Sequence, residues 1–137
     1  MRLLFLGDVV GRTGRTAVCD QLPELRKKLD ADFVVVNGEN AAGGFGITEK
    51  VCRGFFDAGA DVITTGNHVW DQREIMETID DEPRLLRPHN FPEGVPGTGI
   101  GVYPARNGAR VMVINVMGRI FMNPLDDPFA SVEAALQ

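Results

Sequence analysis

Val62-Ile63-Thr64-Thr65-Gly66-Asn67-His68 is the stretch on which the interpretation of this chain turns. A short β-branched run ends in glycine, and a polar or titratable side chain follows at once. The same pattern occurs twice earlier. Leu3-Leu4-Phe5-Leu6 runs into Gly7-Asp8, and Phe33-Val34-Val35-Val36-Asn37 runs into Gly38-Glu39-Asn40. Short apolar runs separated by helical stretches are the pattern of parallel strands buried on both faces. Residues just past the carboxyl ends of such strands share one edge of a sheet, where α/β folds place their sites. Asp8, Glu39, Asn40, Asn67 and His68 are therefore expected to converge although they lie far apart in the chain.

The segments between those runs supply the helices. Val18, Leu22, Leu25 and Leu29 recur at helical spacing, with Arg26, Lys27 and Lys28 suiting the carboxyl end of a helix dipole. Pro23 lacks a backbone donor, so a kink or a restart after Asp20 is expected. Thr48 is the expected N-cap of a helix that buries Val51, Cys52, Phe55 and Phe56 and closes at Gly59. Asp71 and Glu74 have the spacing of a capping pair for a helix carrying Ile75, Met76 and Ile79. Between strand two and the Thr48 helix, residues 38–46 contain four glycines in nine positions, which suits backbone passing close to something.

The second half changes character. Residues 83–96 are rich in proline and polar residues and form a long connection, with one short strand expected at 84–86. Residues 99–105 and 109–116 are strand-like and joined across Arg106-Asn107-Gly108, a strong hairpin signal. Ser131 is the expected cap of a last helix beginning at Val132, which has no stop signal before Gln137.

Composition narrows the function classes. The 137 residues suffice for one domain, and 44% apolar with 24% charged residues is ordinary for a soluble globular protein. A net charge of −5 gives no electrostatic case for holding a long nucleic acid. Cys19 and Cys52 lack the dense spacing of a disulfide scaffold and read as reduced thiols in or near the core. The apolar start is too short for a membrane span, so the cytoplasm is the expected location and a homo-oligomer is left open.

The chemistry of the convergent residues is specific. Carboxylate and amide oxygens beside an imidazole form a mixed oxygen and nitrogen set, suited to divalent manganese, iron or zinc rather than to a thiophilic ion. A carboxylate can bridge two ions, and a metal pair stabilises both the attacking and the leaving oxygen in a displacement at phosphorus. An imidazole can protonate the departing alkoxide. Each residue also has a bland reading: Asp8 capping the first helix, Asn40 and Asn67 as turn residues, His68 as a hydrogen-bonded loop histidine. Three strands each delivering such a residue after glycine is hard to obtain from turn chemistry alone, and the set points to a site. Arg12 and Arg15 read as solvated, and Trp70 as packing beneath the His68 loop. Phe45 and Phe91 are open to packing or stacking. No Walker A loop, dinucleotide fingerprint or nucleophile elbow is present.

Gly7-Asp8-Val9-Val10-Gly11, Gly38-Glu39-Asn40 and Gly66-Asn67-His68 resemble the opening motifs of calcineurin-like metallophosphoesterases. Residues 41–48, Val69-Trp70-Asp71, Gly118-Arg119 and Asp126-Asp127-Pro128-Phe129 are closer still to one bacterial branch, the YmdB-like phosphodiesterases. The resemblance implies an α/β sandwich with helices flanking mixed β-sheets. It also implies two divalent ions (Mn, Fe or Zn, with Mg a further candidate), Asp8 and Asn40 on the first, Asn67 on the second and Glu39 bridging. His68 would be the catalytic acid and a small phosphodiester, such as a 2′,3′-cyclic nucleotide, the substrate. Family members continue further and carry more metal-binding histidines, whereas here only His68 and His89 occur. The expectation is one domain over 1–137 truncated at its carboxyl end, binding metal weakly and turning over phosphodiesters poorly. A non-catalytic nucleotide- or phosphate-binding or assembly module is the alternative, and it predicts ligand binding indifferent to chelator. A structural fragment that aggregates through an exposed sheet edge is the third.

Overall fold

The computed structural model describes every residue except residue 124. Its centre is a 4-stranded sheet of β1 (Leu3–Leu6), β2 (Phe33–Asn37), β3 (Val62–Thr64) and β4 (Leu85–Leu86), in that order and parallel throughout. Because register pairs Leu6 with Val36 and Asn37 with Thr64, the strands finish nearly level. The ladder continues past them through Val9 N–H to Asn37 O (3.1 Å), Gly38 N–H to Thr64 O (2.9 Å) and Thr65 N–H to Leu86 O (3.0 Å). The residues after each strand are thereby set side by side.

β2, β3 and β4 are buried on two sides, as unbroken apolar runs require, whereas β1 at the edge is covered on one side only. Val34, Val36 and Ile63 point into a core shared with α1 (Gly11–Lys28) and α2 (Glu49–Ala58), which contribute Leu22, Cys52 and Phe55. The alternate residues Phe33, Val35 and Val62 pack with Leu86, Ala105 and Val111 on the other side. Those last two belong to, or border, the antiparallel pair β5 (Ile100–Pro104) and β6 (Arg110–Ile114). The molecule is thus layered as helices, parallel sheet and hairpin. Asn115 Nδ2 staples the hairpin to the sheet by donating to Thr65 O (2.9 Å) and Leu86 O (3.1 Å).

Thr48 and Gly59 behave as expected. Thr48 Oγ1 accepts from Val51 N–H at 3.3 Å, and Gly59 closes α2 at φ 109°. Three local expectations are corrected. Helix α1 runs through Pro23 without restarting after Asp20, because Pro23 lies on the exposed face, where water can take the freed carbonyl. Asp71 and Glu74 do not cap a long helix: α3 (Ile75–Thr78) is one turn continued by a 3-10 turn at Ile79–Asp81, and no side chain caps it. Finally α4 (Pro128–Ala135) is capped by Asp127, not Ser131. Asp127 Oδ1 accepts from Phe129 and Ala130 N–H (2.9 and 3.1 Å), with Pro128 in the first turn where it needs no donor. Cys19 and Cys52 are free thiols, and among the described residues no helix is long and apolar enough to cross a membrane.

Candidate metal centre at the carboxyl edge of the sheet

Asp8 follows β1, Glu39 and Asn40 follow β2, and Asn67 and His68 follow β3, so the level strand ends bring all five to one edge. Asp8 does not cap the first helix. Val10 occupies the N-cap of α1 with no side-chain bond, and the Asp8 carboxylate instead accepts from Asn40 Nδ2 at 2.7 Å. Gly11 N–H to Asn40 O (2.9 Å) ties the two loops a second time.

Glu39 is the centre of the cluster. Its carboxylate lies against Gly66, where a Cβ would stand 1.8 Å from Oε2 and would push the carboxylate from this position. Burial pushes the Glu39 carboxyl above its ordinary value, and the Asp8 charge adds to this; His68 and the Asn67 backbone N–H act in the opposite direction. Glu39 Oε2 is buried with no hydrogen-bond partner, and so is Asn37 Oδ1 at the end of the same strand. A desolvated carboxylate oxygen without a donor, two residues from another carbonyl-type oxygen in the same condition, is what a cation-binding edge requires. The donor set fits a hard or borderline divalent ion: carboxylates from Asp8 and Glu39, amide oxygens from Asn40 and Asn67. Among the described residues no three His, Cys, Asp or Glu side chains form a metal cluster by themselves.

His68 is held by a partner the sequence did not reveal. Its Nδ1 lies 2.7 Å from Asp71 Oδ2 across a turn closed by Asp71 N–H to His68 O (3.1 Å). With a carboxylate on Nδ1, that nitrogen is the protonated one, and Nε2 is left for a ligand. The glycine-rich loop beside it is braced from two sides. Arg15 donates to Ala41 O and is not the solvated residue expected, and Gln72 Nε2 donates to Phe45 O at 2.9 Å. Gly46 is pressed against Gln72 and His68 O, a Cβ there standing 3.0 Å from each. Trp70 packs edge-to-face on Phe91 (centroids 6.2 Å apart) and against the core, as expected. His89 sits in the connection between β4 and β5, its N–H donating to Asn115 O at 2.6 Å.

The residues missed by sequence, Asp71, Gln72 and Arg15, share a reason. Each acts across a turn or between elements, and only the three-residue spacing from His68 to Asp71 hinted at contact.

Known proteins resemble the chain in sequence and fold. The chain is 53% identical over 133 residues to a 2′,3′-cyclic-nucleotide 2′-phosphodiesterase of Bacillus subtilis (strain 168), covering 97% of this chain and 50% of that one. A hypothetical protein from Thermus thermophilus superposes with TM-score 0.91 at 41% identity, over 99% of this chain and 52% of the other. A novel phosphatase from Mycoplasma pneumoniae gives TM-score 0.87 at 31% identity, over 98% and 50%. The chain therefore spans about half the length of the relatives it matches. The fold agrees with the α/β metallophosphoesterase-type architecture expected from the motifs. With the YmdB-like protein family model matching residues 4–137, the chain belongs to the YmdB-like family.

Proposed function

We propose that the carboxyl edge of the parallel sheet is the metal-binding half of a phosphodiesterase site, acting on small phosphodiesters such as 2′,3′-cyclic nucleotides. The observation that carries this is the Glu39 carboxylate: half-buried, repelled by Asp8, lying against Gly66, with Oε2 itself buried and lacking any donor. Asp8 and Asn40 would hold one divalent ion, Asn67 a second, and Glu39 both. Manganese, iron, zinc or magnesium suits these oxygens. The chemistry such a pair supplies is positive charge against the phosphate and both reacting oxygens. His68 is the proton donor to the departing alkoxide. Asp71 accepts from Nδ1–H and so orients the ring, and in its imidazolium form the Nε2 proton is the one that would be transferred. The free thiols Cys19 and Cys52 support a reducing compartment, the cytoplasm.

The test measures bound metal, melting temperature with added manganese, and hydrolysis of bis(p-nitrophenyl) phosphate. The wild-type chain should melt higher with manganese and hydrolyse the diester only with it. Glu39→Gln should lose the melting shift, and Asp8→Asn should lower hydrolysis by about 100-fold or more, the several kcal/mol a metal centre contributes. An unchanged manganese shift in Glu39→Gln would remove the metal centre from the account.

A further inference from the structure

We propose that Phe45 is the platform on which the nucleobase of the substrate stacks; the proposal rests on the phosphodiesterase reading and makes it specific to nucleotides. The Phe45 ring stands edge-to-face to His68, centroids 5.1 Å apart at an interplanar angle of 71°. A phosphodiester reacting at His68 carries its base one ribose away, which is the neighbourhood this ring occupies. Phe45 is 59% exposed, so its apolar surface contributes little to the core of the folded chain. A single exposed apolar side chain is ordinary; what sets Phe45 apart is the contact of its ring with the proposed acid.

It is fixed. Ala42 N–H donates to Gly46 O (2.9 Å), Gly44 N–H to Asn40 O (3.2 Å) and Gln72 Nε2 to the Phe45 carbonyl itself (2.9 Å). Arg15 holds Ala41 O at the other end of the loop. A ring presented on backbone already ordered loses little further freedom when a ligand covers it. The other aromatic residues nearby are committed elsewhere, since Trp70 and Phe91 pack on each other and on the core. A phenyl face has no hydrogen-bond group, so it selects for a base without choosing among bases, purines stacking best through their larger area.

The experiment titrates adenosine 3′-monophosphate and ribose 5-phosphate into the chain by calorimetry, with manganese present. The wild type should prefer the nucleotide by roughly 5- to 100-fold, the range spanned by one base on one aromatic ring. Phe45→Ala should bring the two affinities within about twofold, and Phe45→Trp should keep the preference. A wild type without preference, a preference that survives Phe45→Ala, an equal loss for both ligands, or no nucleotide binding would each overturn the proposal. Manganese-dependent hydrolysis of methyl p-nitrophenyl phosphate by the wild type, a diester without a base, gauges the phosphodiesterase reading separately. That activity can stand while the stack falls.

Discussion

The two faces of the parallel sheet are covered differently, and the site belongs to one of them. On the helical face Leu22, Val34, Val36, Ile47, Phe55 and Ile63 are fully buried, and Leu4 and Leu6 of β1 pack against them. On the hairpin face the cover reaches β2, β3 and β4 but leaves the same strand open: Leu3 and Phe5 are 56% and 64% exposed. The loops bearing Asp8, Glu39 and Asn40 are connections into α1 and α2, and the braces Arg15 and Gln72 follow the same side. The lesson is that the helical face does two jobs, closing the core and aiming the strand-end residues. The hairpin face does only the first, and incompletely.

Cavity formation should break the comparison most visibly. Phe55→Ala, which empties a wholly buried site on the helical face, is expected to cost about 3–5 kcal/mol in urea unfolding. Val111→Ala on the hairpin face should cost only roughly 1–2 kcal/mol, because it removes two methyl groups rather than a phenyl ring. Equal losses would mean that the hairpin carries as much of the fold as the helices. Next in size is the start of α2: Thr48→Ala removes the cap on Val51 N–H and should lower stability by about 1 kcal/mol, read from the thermal midpoint.

The smallest effect has the opposite sign. Folding raises the Glu39 carboxyl through burial first and Asp8 second, so the folded chain binds that proton more tightly than the unfolded chain. Stability is therefore lost as pH rises through the ordinary carboxylate range and on through the raised value. Glu39→Gln removes a charge that opposes folding, and the metal-free chain should become more stable at pH 7 by no more than about 1 kcal/mol. A destabilised Glu39→Gln, at pH 7 and without metal, would show that the carboxylate is a structural anchor rather than a strained ligand.

Much of the site was legible because its logic is local. A strand ending in glycine, followed by Asp8, by Glu39-Asn40 or by Asn67-His68, needs only parallel, in-register pairing to converge, and buried β-branched runs favour that pairing. The Thr48 cap and the Gly59 stop were equally local. Asp71 misled for the converse reason. Its spacing to Glu74 imitates a capping box, but the turn starting at Gly66 carries its carboxylate back to His68, where a charge-assisted bond outcompetes a cap on a one-turn helix. Asp127 displaced Ser131 as a cap because proline at the next position already fixes the helix entry.

The sequence alone determined which runs become the parallel strands, the α/β class and the identity of the five residues at the edge, since glycine punctuation and side-chain type are written position by position. Tertiary structure alone decided which oxygens are left without donors, which carboxylate holds His68, and how Phe45 comes to stand beside it. Those depend on distances between elements, and burial and hydrogen-bond competition are settled only when the layers close.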